Sequence, residues 1–373
     1  VSDDVITLNQ SKVKLYRRCQ KQFAYRYDYA DDGMELIPAR KKLPLYRGSW
    51  MHALQQALHH QWAGIDDFEF PFGDGRHRII IHGHTWEDVQ DILTRHYDKL
   101  FDEEKEDLGD LPTETERLFR SYLRFWNDDQ EVYAVAEYEG EPMIEFLIDT
   151  ELPRIGAIFK GRIDLVVEDE DYGGLWVWDA KWVRTMPAPD ERMMSPQSLM
   201  YVWALRYRYG LDVRGFVYNY GRTKPPAIPR VLKRPAGMLS TRQSMDTDYY
   251  TYLRAIKETH GAKWKTYLPY YQPKLDALKG REALWFRRER IPVDEDRLRQ
   301  ALREFIVSGK QIEGRTRPNL APRSYFYNCR FSCDYHDLCV AEFTGLHVEP
   351  IIKKQFEIVP ERYTEPEEDL LNG

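Results

Sequence analysis

The sequence predicts an α/β chain, and three observations carry that expectation. Residues 161–182, GRIDLVVEDEDYGGLWVWDAKW, read as two strands of period two, with an acidic loop ending in Gly173-Gly174 between them. Met193 to Tyr207 then carries a helical pattern, and Val213 to Tyr220 returns to a strand. At 373 residues the chain is long enough for one large domain or two modest ones, with apolar and aromatic content ample for a core.

Taken in order, Asn9-Gln10-Ser11 opens a helical pattern with Leu15, Cys19 and Phe23 at i, i+4 and i+8, which puts Cys19 on the buried face. A basic segment, Arg40-Lys41-Lys42, leads through Arg47-Gly48-Ser49 to a second helix with His52, Gln56 and His59 on one side. A lone helix histidine is more often structural than a ligand. Residues 64–84 read as an irregular insertion rich in Asp, Phe and Gly, and Thr85 to Leu100 and Thr113 to Trp126 as helices of a subdomain over the site. Val132 to Ile148 should hold the first strand or strands. Glu137 and Glu145 both lie there, and the sequence does not choose between them as a further acid at the site.

The hairpin carries the chemistry. The midpoint between Asp164 and Asp179 falls inside the acidic loop, so a symmetric hairpin sets the two aspartates opposite each other, with Cβ atoms roughly 5 Å apart. Lys181 follows on the face of Asp179. Two carboxylates that close repel unless a cation lies between them, and a hard divalent ion with oxygen ligands fits. The plain alternative is a solvent-facing strand edge charged for solubility. Beyond the hairpin, Gln197 and Tyr201 sit one turn apart on a helix face. The loop with Arg222, Lys224, Arg230, Lys233, Arg234 and Arg242 is either a solvated surface or a source of phosphate contacts. Trp285-Phe286-Arg287-Arg288-Glu289-Arg290 mixes aromatic and basic residues as single-strand-binding surfaces do. Val293 to Ser308 reads as a further helix.

Asp164, preceded by Gly161-Arg162-Ile163, and Asp179-Ala180-Lys181 resemble the acid and (D/E)-x-K elements of the PD-(D/E)XK nuclease superfamily. The Gly48 to His52 spacing upstream is similar to RecB-type nuclease domains, which implies His52 as a metal ligand. Gln197 and Tyr201 match the Q-x-x-x-Y helix of RecB-type and lambda-exonuclease-like enzymes, which helps fix the site or contacts DNA. The resemblance implies a mixed sheet of about five strands flanked by helices. It also implies one or two Mg²⁺ or Mn²⁺ ions held by His52, Asp164, Asp179 and the Ala180 carbonyl, with Lys181 at the attacking water. No Pro precedes Asp164 here, although one is common in the superfamily.

All four cysteines sit near the ends: Cys19, then Cys329, Cys333 and Cys339 spaced C-x3-C-x5-C. With no secretory signal in view, disulfides are not expected, and clustered thiols point to metal. One upstream Cys plus a late trio resembles the iron–sulfur nucleases, the AddB-type domain and the CRISPR-associated RecB-like exonucleases. The resemblance implies a [4Fe-4S] cluster on the four thiolates, with zinc as the alternative and His336 available to it. The implied division is 1–63 for N-terminal helices, 64–130 for a helical insertion and 131–310 for the nuclease core. Residues 311–350 form the cluster segment and 351–373 a tail, acidic from Glu361 onward.

The net charge of −7 argues against a protein that coats nucleic acid indiscriminately, although a nuclease needs positive charge along one groove only. No run approaches the roughly 18 apolar residues of a membrane span. The expected function is a metal-dependent DNA exonuclease acting on ends, single-stranded or otherwise, in recombination, repair or phage DNA metabolism. Helicase or recombination partners and a cytoplasmic setting in a bacterial or phage-infected cell go with it. The alternatives are a structure-specific endonuclease and a DNA-end-binding subunit of a larger complex.

Overall fold

The computed structural model of the protein describes residues 6–28, 34–39, 43–73, 78–127, 133–188, 190, 193–315, 320–327 and 329–360. The segment Arg40-Lys41-Lys42 and the acidic tail from residue 361 lie outside them. At the centre is a seven-stranded sheet in the order β1 (Ile6–Leu8), β9 (Ala157–Asp169), β10 (Leu175–Val183), β11 (Val213–Arg222), β12 (Phe286–Pro292), with β5 (Tyr133–Val135) and β8 (Ile144–Glu151) also paired to β9. It is mixed. β10 runs antiparallel to β9 and parallel to β11, while β1 is parallel to β9. The α/β expectation therefore holds, with more strands than the five expected. The three-residue β1 and β5 are too short for a period-two signal, and each is ordered by pairing with the long β9.

Helices α1 (Gln10–Arg18) and α2 (Gln20–Tyr27) break at Cys19, and the Asn9 side chain caps α1 by accepting from the Lys12 N–H at 2.8 Å. Cys19 is buried, but as the joint between two helices rather than on the face of one. Helix α3 (Leu43–Trp62) leads to a hairpin of β3 (Phe68–Phe72) and β4 (Ile79–Gly83), where an irregular insertion was expected. The Phe-Glu-Phe-Pro-Phe alternation buries Phe68, Phe70 and Phe72. α4 (Trp86–Asp98), α5 (Asp102–Leu108) and α6 (Leu111–Phe125) complete this subdomain. It shares one apolar core with α3, and Trp285 and Phe286 belong to that core.

The main core lies on one face of the sheet, where α1, α7 (Pro196–Tyr207) and α10 (Glu295–Glu313) cover Phe159, Val166, Val177 and Phe216. A second, aromatic core of Tyr133, Leu165, Val167, Trp176, Trp178 and Val217 lies on the other face. Between β11 and β12 the chain leaves the sheet for α8 (Tyr249–His260) and α9 (Trp264–Leu278), which have a small core of their own. After α10 come α11 (Cys329–Ser332), α12 (His336–Phe343) and α13 (Glu349–Gln355). The last strand, β13 (Phe356–Pro360), pairs antiparallel with β2 (Met34–Pro38).

One sequence expectation fails on burial, and one residue of the basic loop turns inward. Trp285 and Phe286 are 0% and 1% exposed, so they cannot present a single-strand-binding face. Arg288 beside them is enclosed as well, 3.9 Å from the Trp126 ring centroid and 4.3 Å from that of Trp178. Arg222 is likewise internal. Its guanidinium pairs with both Asp246 oxygens at 3.2 and 3.0 Å and covers the Trp285 ring. Arg230, Lys233, Arg234 and Arg242 in the same loop are exposed.

Candidate metal centre and active site

The β9–β10 ladder fixes the hairpin. Trp178 pairs with Leu165, Val177 with Val166 and Trp176 with Val167. One further step in that register sets Asp179 against Asp164, but the ladder stops before it. There the Ala180 N–H donates to Asp164 Oδ2 at 2.8 Å, so a side chain takes the place of the next backbone partner. The strand also changes face at this point. Phe159 and Ile163 feed the helix-side core, whereas Leu165 and Val167 feed the aromatic one.

On the other side of β9, β8 pairs Ile144 with Leu165 and Phe146 with Ile163, which sets Glu145 across from Asp164. Glu145 has φ +48°, a left-handed backbone uncommon for a side chain with a Cβ. Such strain persists where the surroundings over-determine it, as they do at functional sites. The sequence left Glu137 and Glu145 open, and the strand register brings in Glu145.

Helix α3 brings His52 over the strands, and Trp182 on β10 ties that helix down by donating Nε1–H to Gln55 Oε1 at 2.7 Å. His52 Nε2 lies 3.1 Å from Glu145 Oε1, and Nδ1 lies 4.0 Å from Asp164 Oδ2. One ligand atom from each of His52, Glu145 and Asp164 falls within 4.8 Å of the others. Among the described residues no other group of three such side chains gathers this closely.

Asp179 completes the surroundings. It is 3% exposed, its Oδ1 receives the Lys181 ammonium at 2.7 Å, and its Oδ2 is buried with no hydrogen-bond partner. A buried carboxylate oxygen left unpaired is costly, so it calls for a cation. Hard oxygen donors and one imidazole suit Mg²⁺ or Mn²⁺. The electrostatics are those of a crowded acidic cluster. Burial raises the Asp164 carboxyl to about 6, with Asp179 and Glu145 adding to the rise and His52 opposing it. For His52, burial opposes the charged form, but Asp164 and Glu145 outweigh it and hold the ring up to about 9. Lys181 is raised in the same way, burial being outweighed by Asp179 and Asp164.

Gln197 and Tyr201 lie one turn apart on α7, against β9 at Gly161. Gln197 Nε2 donates to the Tyr201 hydroxyl at 3.1 Å, and the Tyr201 ring lies over Gly161 so closely that a Cβ there would meet Cε1 at 2.6 Å. Gly161 is thus the residue that lets α7 reach β9. His59 is elsewhere. It is buried against Trp178 at 6.4 Å between ring centroids, and burial lowers it to about 3, so it stays neutral.

The sequence model of the PD-(D/E)XK nuclease superfamily matches residues 7–340, which spans β1 to α12. The chain belongs to the PD-(D/E)XK nuclease superfamily. No curated protein matches it. As a superfamily member it is a metal-dependent nuclease, a phosphodiester hydrolase of DNA that uses Mg²⁺ or Mn²⁺. The mixed sheet with helices on its faces is the α/β architecture of the superfamily. No helix among the described residues is long and apolar enough to cross a membrane.

The four cysteines gather around one loop far along the chain. The Ser324 N–H points at Cys19 Sγ at 3.5 Å, and Cys329 Sγ donates to the Ser324 carbonyl at 3.6 Å. Arg323 Nε donates to Cys339 Sγ at 3.3 Å. Burial raises the Cys333 thiol to about 11, and the neighbouring Cys19 and Cys329 add to it. All four are free thiols.

Proposed function

We propose that the protein is a RecB-like DNA exonuclease acting on ends, with His52, Glu145, Asp164, Asp179 and the Ala180 carbonyl as the metal ligands. The observation that carries the reading is the convergence of His52, Glu145 and Asp164 beside the one unpartnered oxygen of Asp179. Asp164, Asp179, Glu145, His52 and the Ala180 carbonyl would hold Mg²⁺ or Mn²⁺. When bound, that ion supplies Lewis acidity to the scissile phosphate and to water. Lys181, kept protonated by Asp179, orients the attacking water and stabilises the charge that grows on the phosphate. Tyr201 packs α7 against β9, and Gln197 fixes the Tyr201 hydroxyl, from which the pair would help fix the site or contact DNA.

The cysteines form a separate structural centre on this reading. Their donor set fits a [4Fe-4S] cluster: four thiols, with Arg323 and the Ser324 N–H donating toward sulfur. Residues 64–130 then serve as an insertion over the site and 311–350 as the cluster segment.

Incubation with end-labelled linear DNA and with closed circular DNA, plus Mg²⁺ or Mn²⁺, tests the function. An exonuclease shortens the linear substrate from its ends and leaves the circle intact. Nicking or linearisation of the circle would replace that reading with an endonuclease.

A further inference from the structure

We propose that the unit formed by α8 and α9 is a platform for single-stranded DNA, with bases stacked on Tyr267 and Tyr270 and phosphates beside Lys257, Lys263 and Lys265. The choice of DNA as occupant rests on the nuclease reading above.

The first observation is charge. Residues 223–285, which leave the sheet after β11 and return at β12, hold twelve Lys and Arg against five Asp and Glu. That is a net +7 in a chain whose total is −7. The excess is local, as expected where a polyanion lies against one surface.

The second is aromatic exposure. Trp264, Tyr267 and Tyr270 recur every three residues along α9 and so share a side of the helix. Tyr267 is 37% exposed and Tyr270 is 49% exposed, although the unit has its own core to receive such rings, with Tyr252 and Tyr271 each 0% exposed. One face of Tyr267 is backed by His260, whose ring stacks on it at 4.0 Å and 13° between planes. His260 is itself fixed, its Nε2 lying 2.9 Å from the Tyr271 hydroxyl. Tyr267 is therefore a supported ring with one side left for a ligand. The ammonium groups of Lys257 and Lys265 lie 5.0 and 5.9 Å from the Trp264 centroid, which anchors two cations beside the tyrosines. Alternating rings and cations suit single strands, because every unpaired base has a π-face and every linkage a charge. A duplex keeps its bases stacked and could use only the lysines.

The third is placement. β11 is parallel to β10, with Lys181 paired to Tyr220 and Val183 to Arg222, so the unit springs from the strand end just past Lys181. Arg47, on the helix that carries His52, donates to the Thr223 carbonyl at 3.1 Å and fixes that root. A strand held on α9 is thus tethered to the end of the sheet that bears the acidic cluster.

The test is fluorescence anisotropy of the full chain in EDTA, with a labelled oligo-dT of about 20 nucleotides, longer than a typical single-strand site, and a duplex of equal length. The pair Tyr267→Ala/Tyr270→Ala should weaken oligo-dT binding about tenfold or more and leave duplex binding unchanged. Tyr267→Phe/Tyr270→Phe should restore it. Lys257→Ala/Lys263→Ala/Lys265→Ala should reduce the slope of log affinity on log salt by about 2. If the alanine pair melts early, Tyr270→Ala alone carries the test, since that ring is half exposed. Unchanged oligo-dT binding, or equal loss on duplex, would overturn the platform. Because no ion or cleavage is involved, a chain that binds through these tyrosines but never cuts keeps the platform and loses only the exonuclease.

Discussion

At the scale of single residues, the carboxylates and Lys181 are bound into one electrostatic unit, so each change should act on chemistry more than on fold. Asp179→Ala and Lys181→Ala are expected to abolish cleavage while DNA binding stays within a few-fold, since most affinity comes from phosphate contacts elsewhere. Cleavage near the wild-type rate in either variant would remove the hairpin from the mechanism. His52 makes a second, titratable prediction. Its folded value near 9 lies above the ordinary 6.5, so the stability it gives the metal-free protein is fully present below pH 6.5 and is lost as pH rises through 9. Thermal melts of metal-free protein should show that decline, and His52→Gln should flatten it. As a ligand His52 must also shed its proton, so Mn²⁺ binding at pH 7 should release protons to the buffer, which calorimetry in buffers of different ionisation enthalpy would measure. A variant lacking His52 should need more Mn²⁺ for half-activation. Unchanged metal dependence would make the ring purely structural.

At the scale of elements, α7 meets β9 at Gly161 with no room for a Cβ. Gly161→Ala should cost about 1–3 kcal/mol in urea unfolding by pushing the Tyr201 ring off β9. The double change with Tyr201→Ala should recover part of that loss, and purely additive costs would deny the contact. This scale also shows what the sequence could and could not disclose. Asp164 and Asp179 were legible because strand periodicity and a Gly-Gly turn together set their register. Glu145 was not, because its place depends on β8 lying on the far side of β9 and on a left-handed backbone that no local pattern announces. The Phe68, Phe70, Phe72 alternation was a readable strand signal, masked by the Asp and Gly on both sides of it. Trp285 and Phe286 looked like a surface because basic residues follow them, yet the insertion core claims both rings. Short-range pattern names a strand; which face is covered depends on a helix elsewhere in the chain.

At the scale of the whole molecule, the early and late parts of the chain are joined several times over. Arg17 donates to Ser308 Oγ at 2.7 Å, Arg315 grips Asp28, and Lys21 and Arg323 both reach Glu342. The cysteine centre adds to these. On the proposed reading, its loss would remove metal–thiolate binding, on the order of 10 kcal/mol for well-formed sites, from the folding free energy. Cys19→Ala and Cys333→Ala should each give protein that is cut first in the 311–350 segment under limited proteolysis. Anaerobically purified wild type should be brown, with about four irons per chain. Colourless protein with one tight zinc would replace the cluster but keep the centre, and cysteine variants as stable as wild type would remove both.

The pairing of β2 with β13 has a consequence in time as well as in space. Met34 to Pro38 leaves the ribosome long before Phe356 to Pro360, its only ladder partner among the described residues. During that interval it is an open edge with unspent hydrogen-bonding groups. Ile6 to Leu8 waits similarly for Ala157 to Phe159. Contacts so distant in sequence form slowly: Ile6 to Leu8 can pair once residues 157–159 are made, but Met34 to Pro38 must wait until synthesis has passed the cysteines. A chain cut short between residues 183 and 356 would carry every residue of the acidic cluster with its final seam still open.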